Sequence, residues 1–188
     1  NPFYPEEIAR QCMQTIFQPT VDAMASMGRP FKGCLYFGLM LTPKGPYVIE
    51  YNSRFGDPET QVVLELLDSD LVDIMEAVYH GTLTADMVHF SACVIIASGG
   101  YPKSYRKGCP ISGLDANGQR EGVSVYHSGT KLENGVYLNN GGRVLGVTAR
   151  ADSLQKALDK AYENVDAIHF EDCFSRRDIG KRALSALK

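Results

Sequence analysis

The run Val48-Ile49-Glu50-Tyr51-Asn52-Ser53-Arg54-Phe55-Gly56-Asp57-Pro58-Glu59 decides how this chain is read. Its first half has strand composition, and in a strand alternate side chains share a face. Glu50 and Asn52 therefore point the same way, and Arg54 follows if the strand continues. Two oxygen ligands at that spacing can share a hard divalent cation. Mg²⁺ usually takes one or two protein ligands plus phosphate oxygens, so the pair suits a metal that bridges nucleotide phosphates. Beyond the strand, Arg54 offers a planar fork for a carboxylate or phosphate, and Asp57 can receive an amine. Spacing alone favours a plainer alternative, the solvent face of an ordinary half-buried hairpin.

Upstream of this run, Phe31 to Leu41 is a second stretch rich in aromatic and branched residues. The turn sequence Thr42-Pro43-Lys44-Gly45 separates it from Pro46 to Asn52, which predicts a hairpin. Before it, Pro5 and the early carboxylates Glu6 and Glu7 mark a helix start, and apolar residues recur at three- and four-residue steps to about Met27. Pro19 lies inside that pattern and removes a backbone donor, so a kink is expected near Thr15 to Pro19. After the hairpin, Asp57-Pro58 reads as an N-cap and first-turn proline opening a helix through Leu67. A second helix is expected from Ser69 or Asp70 to Tyr79, closed by Gly81.

From Met87 the character changes to strands: Val88 to Ala97, Val123 to His127, Lys131 to Asn139 and Val144 to Ala151. Asn140-Gly141-Gly142 suits a tight hairpin that needs positive φ. A capped helix is expected from Asp152-Ser153 to about Ile168, and a terminal helix after Asp178. The fold class is α+β, with a boundary near Thr84 to Met87 that gives domains 1–85 and 86–188.

Composition narrows the function classes. Of 188 residues, 44% are hydrophobic and 22% charged, the profile of a chain that folds. A net charge of −3 argues against a broad nucleic-acid surface but leaves room for a small anionic substrate held by a few local cations. The apolar stretch around Cys93 to Ala97 is too short to cross a bilayer and no charged-then-apolar leader opens the chain, so a cytoplasmic protein without membrane partners is expected. Cys12, Cys34, Cys93, Cys109 and Cys173 show no metal or redox spacing and read as reduced and structural.

The block Glu50-Tyr51-Asn52-Ser53-Arg54-Phe55-Gly56-Asp57-Pro58-Glu59-Thr60-Gln61, preceded by Gly33-Cys34-Leu35-Tyr36-Phe37-Gly38-Leu39-Met40-Leu41, resembles the signature of the phosphoribosylamine–glycine ligase (glycinamide ribonucleotide synthetase) family of the ATP-grasp superfamily. The resemblance continues through Ser98-Gly99-Gly100-Tyr101-Pro102, Tyr126 to Thr130, Gly141 to Val147 and Arg177-Asp178-Ile179-Gly180, essentially the whole chain. It implies a C-terminal ATP-grasp remnant followed by a small, mainly antiparallel sheet domain with a packing helix. It also implies an ATP-dependent ligation in which ATP phosphorylates glycine to an acyl phosphate and the amine of 5-phosphoribosylamine displaces phosphate.

Carried over by position, Glu50 and Asn52 would hold Mg²⁺ or Mn²⁺ at the ATP phosphates. Arg54 would act catalytically and on substrate by steadying the acyl phosphate or substrate phosphate. Asp57 would bind the glycine or amine, and Met40 and Ile49 would floor the adenine. Tyr36 to Leu41 carries no acidic residue, where related ATP-grasp proteins often place another metal ligand. The family places a substrate domain, a lid domain and a glycine-rich phosphate loop before this region. A fragment inactive without that N-terminal portion is therefore expected. Two other classes stay open: a non-catalytic interaction or docking module, and another ATP-grasp carboxylate–amine ligase. His127 is expected to pack rather than to move protons. Arg143 is a candidate for facing the cleft, and Arg177 and Asp178 for pinning the tail.

Overall fold

The computed structural model describes residues 3–83 and 90–187, which form two compact units. One is drawn from Asn1–Asp57, Asp68–Asp86 and Ser185–Lys188, the other from Pro58–Leu67 and Met87–Leu184. The boundary expected near Thr84 to Met87, and the strand start at Val88, lie outside the described residues.

The first unit opens with α1 (Glu6–Cys12), a π-helical turn (Met13–Phe17) and α2 (Gln18–Ser26). The kink expected at Pro19 takes the form of that π turn. The Gln18 N–H reaches back five residues to the Met13 carbonyl just before the proline that cannot donate. Strands β1 (Tyr36–Thr42) and β2 (Gly45–Asn52) pair antiparallel across the Pro43-Lys44 turn, with Gly45 at φ 111. Phe31 to Leu35 is not strand: Gly33 takes φ 131, and pairing begins at Tyr36. α4, numbered in chain order, runs Leu71–His80; Asp70 Oδ1 accepts from the Val72 N–H at 2.7 Å, and Gly81 closes the helix at φ 74.

In the second unit α3 (Glu59–Val63) passes into a 3₁₀ turn, Leu64–Leu66. Its N-cap is Pro58 rather than Asp57, with no side-chain cap, and the regular helix ends before Leu67. The main sheet has the order β4-β7-β3-β8, from Ser124–His127, Arg143–Ala151, Phe90–Ala97 and Phe174–Ser175, antiparallel throughout. α5 (Leu154–Val165) starts at Ser153, whose Oγ accepts from the Lys156 N–H at 3.3 Å. Its Ala161 and Val165 pack with Val94, Ile96, Leu145, Val147 and Ile168 in one buried cluster. α6 (Lys181–Ala186) follows Gly180, and its Leu184 packs on Leu158 and Ala92.

The single strand expected at Lys131 to Asn139 is instead a hairpin, β5 (Thr130–Glu133) and β6 (Val136–Asn139). Asn134 at φ 50 and Gly135 at φ 79 make the tight turn, the pair of positive φ values that such loops demand. Gly141 and Gly142 form no such turn, because β6 pairs with β5 and β7 with β3 and β4. Their glycines answer to crowding: a Cβ on Gly141 would lie 2.8 Å from the Gly129 Cα, and one on Gly142 would strike the Tyr101 ring. Buried Asn139 ties this corner together. Its Nδ2 donates to Ser98 Oγ at 2.9 Å and the Arg106 carbonyl at 2.7 Å, and its Oδ1 accepts from the Cys109 N–H at 2.8 Å.

Candidate functional site

The hairpin of the first unit turns one face to the helices. Phe37 packs between Phe17 and Tyr51, tilted against the first and edge-on to the second, with ring centroids 4.5 and 5.2 Å away. Val48 and Tyr51 line a hollow of about 470 Å³ against Ile16, Pro19, Thr20 and Met24. Two residues three apart share a face only if the alternation slips once, and it does. Gly38 stands opposite Glu50 while Leu39 stands opposite Val48, which leaves Ile49 as the extra residue of a β-bulge.

Glu50 and Asn52 consequently occupy the face turned away from the helices, as alternation predicts. Asn52 Nδ2 donates to Glu50 Oε1 at 3.1 Å, so the two side chains lie side by side. Gly38 makes room for them, since an added Cβ there would sit 3.0 Å from the Glu50 Cγ. Met40 pairs with Tyr47 two positions along β1 from Gly38 and shares that open face; it is 53% exposed, and Ile49 is 63% exposed. Four of the six sequence candidates thus belong to one short stretch of hairpin. The other two lie in the loop beyond it: Arg54 Nη1 donates to the neighbouring Phe55 carbonyl at 2.9 Å, and Asp57 is exposed. The bulge at Ile49 is the feature that strand alternation could not supply.

A carboxylate and a carboxamide suit a hard cation, with the amide turned to present Oδ1 in place of Nδ2. Among the described residues there is no cluster of three His, Cys, Asp or Glu side chains able to hold a metal. The donor chemistry of the pair, one carboxylate and one carboxamide oxygen, suits a cation that takes one or two protein ligands and completes its shell with ligand oxygens, the Mg²⁺ habit. Among the described residues no helix is long and apolar enough to cross a membrane.

His127 is exposed at the end of β4 but tethered to its neighbours in the second unit. Its Nε2 donates to the Gly118 carbonyl at 2.8 Å, its Nδ1 shares a hydrogen bond with Thr130 Oγ1 at 2.9 Å, and Tyr137 packs on the ring at 4.9 Å. In the tail, Arg177 pairs with Asp166 at the end of α5, and Asp178 pairs with Arg176.

Two family models match the chain: the ATP-grasp (A) domain of phosphoribosylglycinamide synthetase over residues 1–60, and its C domain over residues 91–182. A phosphoribosylamine–glycine ligase of Rhodopirellula baltica is 45% identical over 97% of this chain and 43% of its own length. One from Synechocystis is 46% identical over 97% and 45%. The chain spans less than half the length of these curated relatives. The crystal structure of a phosphoribosylamine–glycine ligase from Thermotoga maritima superposes with a TM-score of 0.82 at 32% identity, covering 93% of this chain and 44% of that one. Biotin carboxylase from Campylobacter jejuni, at 13% identity and a TM-score of 0.57, shares the fold. With its signature hairpin, its two matching domain models and relatives at about 45% identity along nearly all of its length, the chain belongs to the phosphoribosylamine–glycine ligase family.

Proposed function

We propose that this chain supplies the metal- and phosphate-facing hairpin of an ATP-dependent carboxylate–amine ligase that joins glycine to 5-phosphoribosylamine, giving glycinamide ribonucleotide in purine synthesis. The observation that carries the proposal is the juxtaposition of Glu50 and Asn52 at 3.1 Å on the open face of the hairpin, opposite Gly38. The family match supports the substrates, and the names of the curated relatives support the reaction. We assign residues 1–85 to the ATP-grasp part and 86–188 to the C-terminal domain, a division supported by the extents of the two domain matches.

In this proposal Glu50 and Asn52 hold Mg²⁺ or Mn²⁺ through their side-chain oxygens. The cation, when bound, neutralises the crowded phosphate oxygens of ATP so that the glycine carboxylate can be phosphorylated. Arg54 turns from the Phe55 carbonyl to fork the acyl or substrate phosphate. Asp57 receives the ammonium of glycine or the amine of phosphoribosylamine, and Met40 and Ile49 offer apolar surface to the adenine. Positioning and charge neutralisation carry the reaction, with no protein nucleophile. The protein works in the cytoplasm, without nucleic-acid or membrane partners.

Turnover needs the remainder of the ATP-grasp site, so the isolated chain is expected to show no glycine-dependent ATP hydrolysis. Mixing it with the separately produced preceding portion of a relative should restore glycinamide ribonucleotide formation, and Glu50→Ala should remove it. Two folded, associating halves that stay inactive would favour a non-catalytic docking module. Restored ligation of another amine in place of phosphoribosylamine would favour a different ATP-grasp ligase.

A further inference from the structure

The chain leaves the loop that carries Arg54 and Asp57 through a stiff joint. Asp57 precedes a proline, which confines its backbone to the extended region, and Pro58 opens α3. α3 passes without a break into the 3₁₀ turn, since Val63 and Leu64 both keep right-handed helical angles, so Glu59 to Leu66 is one helical body. That body belongs to the second unit, whereas the loop before it belongs to the first. Whatever fixes the helical body therefore fixes the outgoing end of the loop.

Its seat is the sheet face away from α5. Val94, Ile96, Val125 and Val147 share the buried cluster of Ala161 and Val165, so by alternation Cys93, Tyr126, Gly146 and Thr148 face the other side. There α3 and the 3₁₀ turn lie against β3 and β7. Packing alone holds them weakly. No side chain of the helical body is fully buried, Val63 is 45% exposed, and helices this short do not sustain themselves. On the same sheet face Thr148 Oγ1 and Ser91 Oγ are buried without a hydrogen-bond partner among the described residues, so the seat is less favourable than an apolar one. One contact stands out from that background: the Tyr126 hydroxyl donates to Glu65 Oε1 at 2.9 Å. A hydrogen bond to a carboxylate is roughly twice as strong as one between neutral groups. Burial, with the carboxylate beside it, raises the Tyr126 pKa to about 12, so the phenol remains a donor at neutral pH.

We propose that Tyr126 is a positioning residue for the candidate site: by gripping Glu65 it locks the helical body, and through the Asp57-Pro58 joint it holds the loop of Arg54 and Asp57 in its working form. The proposal rests on the ligase reading for what the loop does, and on the hydrogen bond and the helical continuity for how it is held. Tyr126 acts through Glu65 and α3 and touches no reacting group. Tyr126→Phe keeps the ring and loses the grip; Glu65→Gln keeps an acceptor for the hydroxyl and Glu65→Leu does not.

The test is amide chemical shifts and hydrogen exchange of the whole chain and its variants. Tyr126→Phe should speed exchange about ten-fold at Leu64 and Leu67, whose amides bond to the Thr60 and Leu64 carbonyls, and should move the Gly56 resonance, which is buried within the loop. Glu65→Leu should match it, the double variant should add nothing further, and Glu65→Gln should change both readouts less. Val125→Ala removes a buried side chain from the opposite face of the same strand, and should leave Gly56, Leu64 and Leu67 at native values. An unmoved Gly56 in Tyr126→Phe, equal effects from Val125→Ala, or Glu65→Gln behaving as Glu65→Leu would overturn the proposal. Adding Mn²⁺ and ADP to the same samples separates it from the ligase reading. No broadening at Glu50 in the native chain would overturn that reading, while Gly56 and Leu64 still decide the grip.

Discussion

The two units use the same strand-forming residue types to opposite ends. In the second, Val94, Val144, Leu145 and Val147 are 0% exposed, locked between a four-stranded sheet and its surroundings. In the first, Met40, Tyr47, Ile49 and Tyr51 are each more than half exposed, and among the described residues Cys12 is the one fully buried hydrophobic side chain. Stability is concentrated in one unit and the proposed nucleotide chemistry in the other. A hairpin proposed to admit a nucleotide and a cation would have to leave its open face unfilled by its own side chains.

The sharpest way to break that contrast is to truncate one residue on each side. Leu145→Ala should cost about 2–5 kcal/mol by urea unfolding, because the sheet closes only partly over the cavity. Ile49→Ala should stay within about 0.5 kcal/mol while weakening nucleotide binding. Equal costs would show that the hairpin is packed as firmly as the sheet. The polar residues sharpen the same point. Asn139→Ala strips partners from the Cys109 amide, Ser98 and the Arg106 carbonyl, and should cost about 2–3 kcal/mol in the same experiment. Asn52→Ala breaks only an exposed contact and should cost little.

A further contrast is one of pH. The Tyr126 hydroxyl donates to Glu65 Oε1 at 2.9 Å, and burial together with the neighbouring carboxylate pushes its pKa from 10.0 up to about 12. A proton held more tightly in the folded state stabilises that state below the unfolded pKa. The contribution is therefore complete below pH 10 and fades as pH rises toward 12. Unfolding midpoints measured across that window should fall more steeply for the native chain than for Tyr126→Phe.

Where local rules apply, the sequence was legible. Alternation put Glu50 and Asn52 on one face, Pro19 marked the break between α1 and α2, and Asp70, Gly81 and Ser153 set helix ends. The features that escaped depend on partners distant in the chain. The bulge at Ile49 exists only relative to Gly38 and Leu39 on the facing strand. Gly141-Gly142 has turn composition, yet its glycines are required by Gly129 and Tyr101, which no local rule connects to them. The grouping of Pro58–Leu67 with the second unit rests on contacts such as Glu65 with Tyr126. The Asn134-Gly135 turn is different in kind, because it is a hairpin dipeptide set inside a run whose composition is that of one strand.

The central claim, that the open face of the hairpin holds a nucleotide-bound cation, is tested most directly by adding Mn²⁺ and ADP to the chain and mapping paramagnetic broadening of its amide resonances. The account predicts loss of signal centred on Gly38, Glu50 and Asn52, and its recovery in Glu50→Gln. Broadening centred on another acidic stretch, such as Asp68 to Asp73, or unchanged by Glu50→Gln, would contradict it.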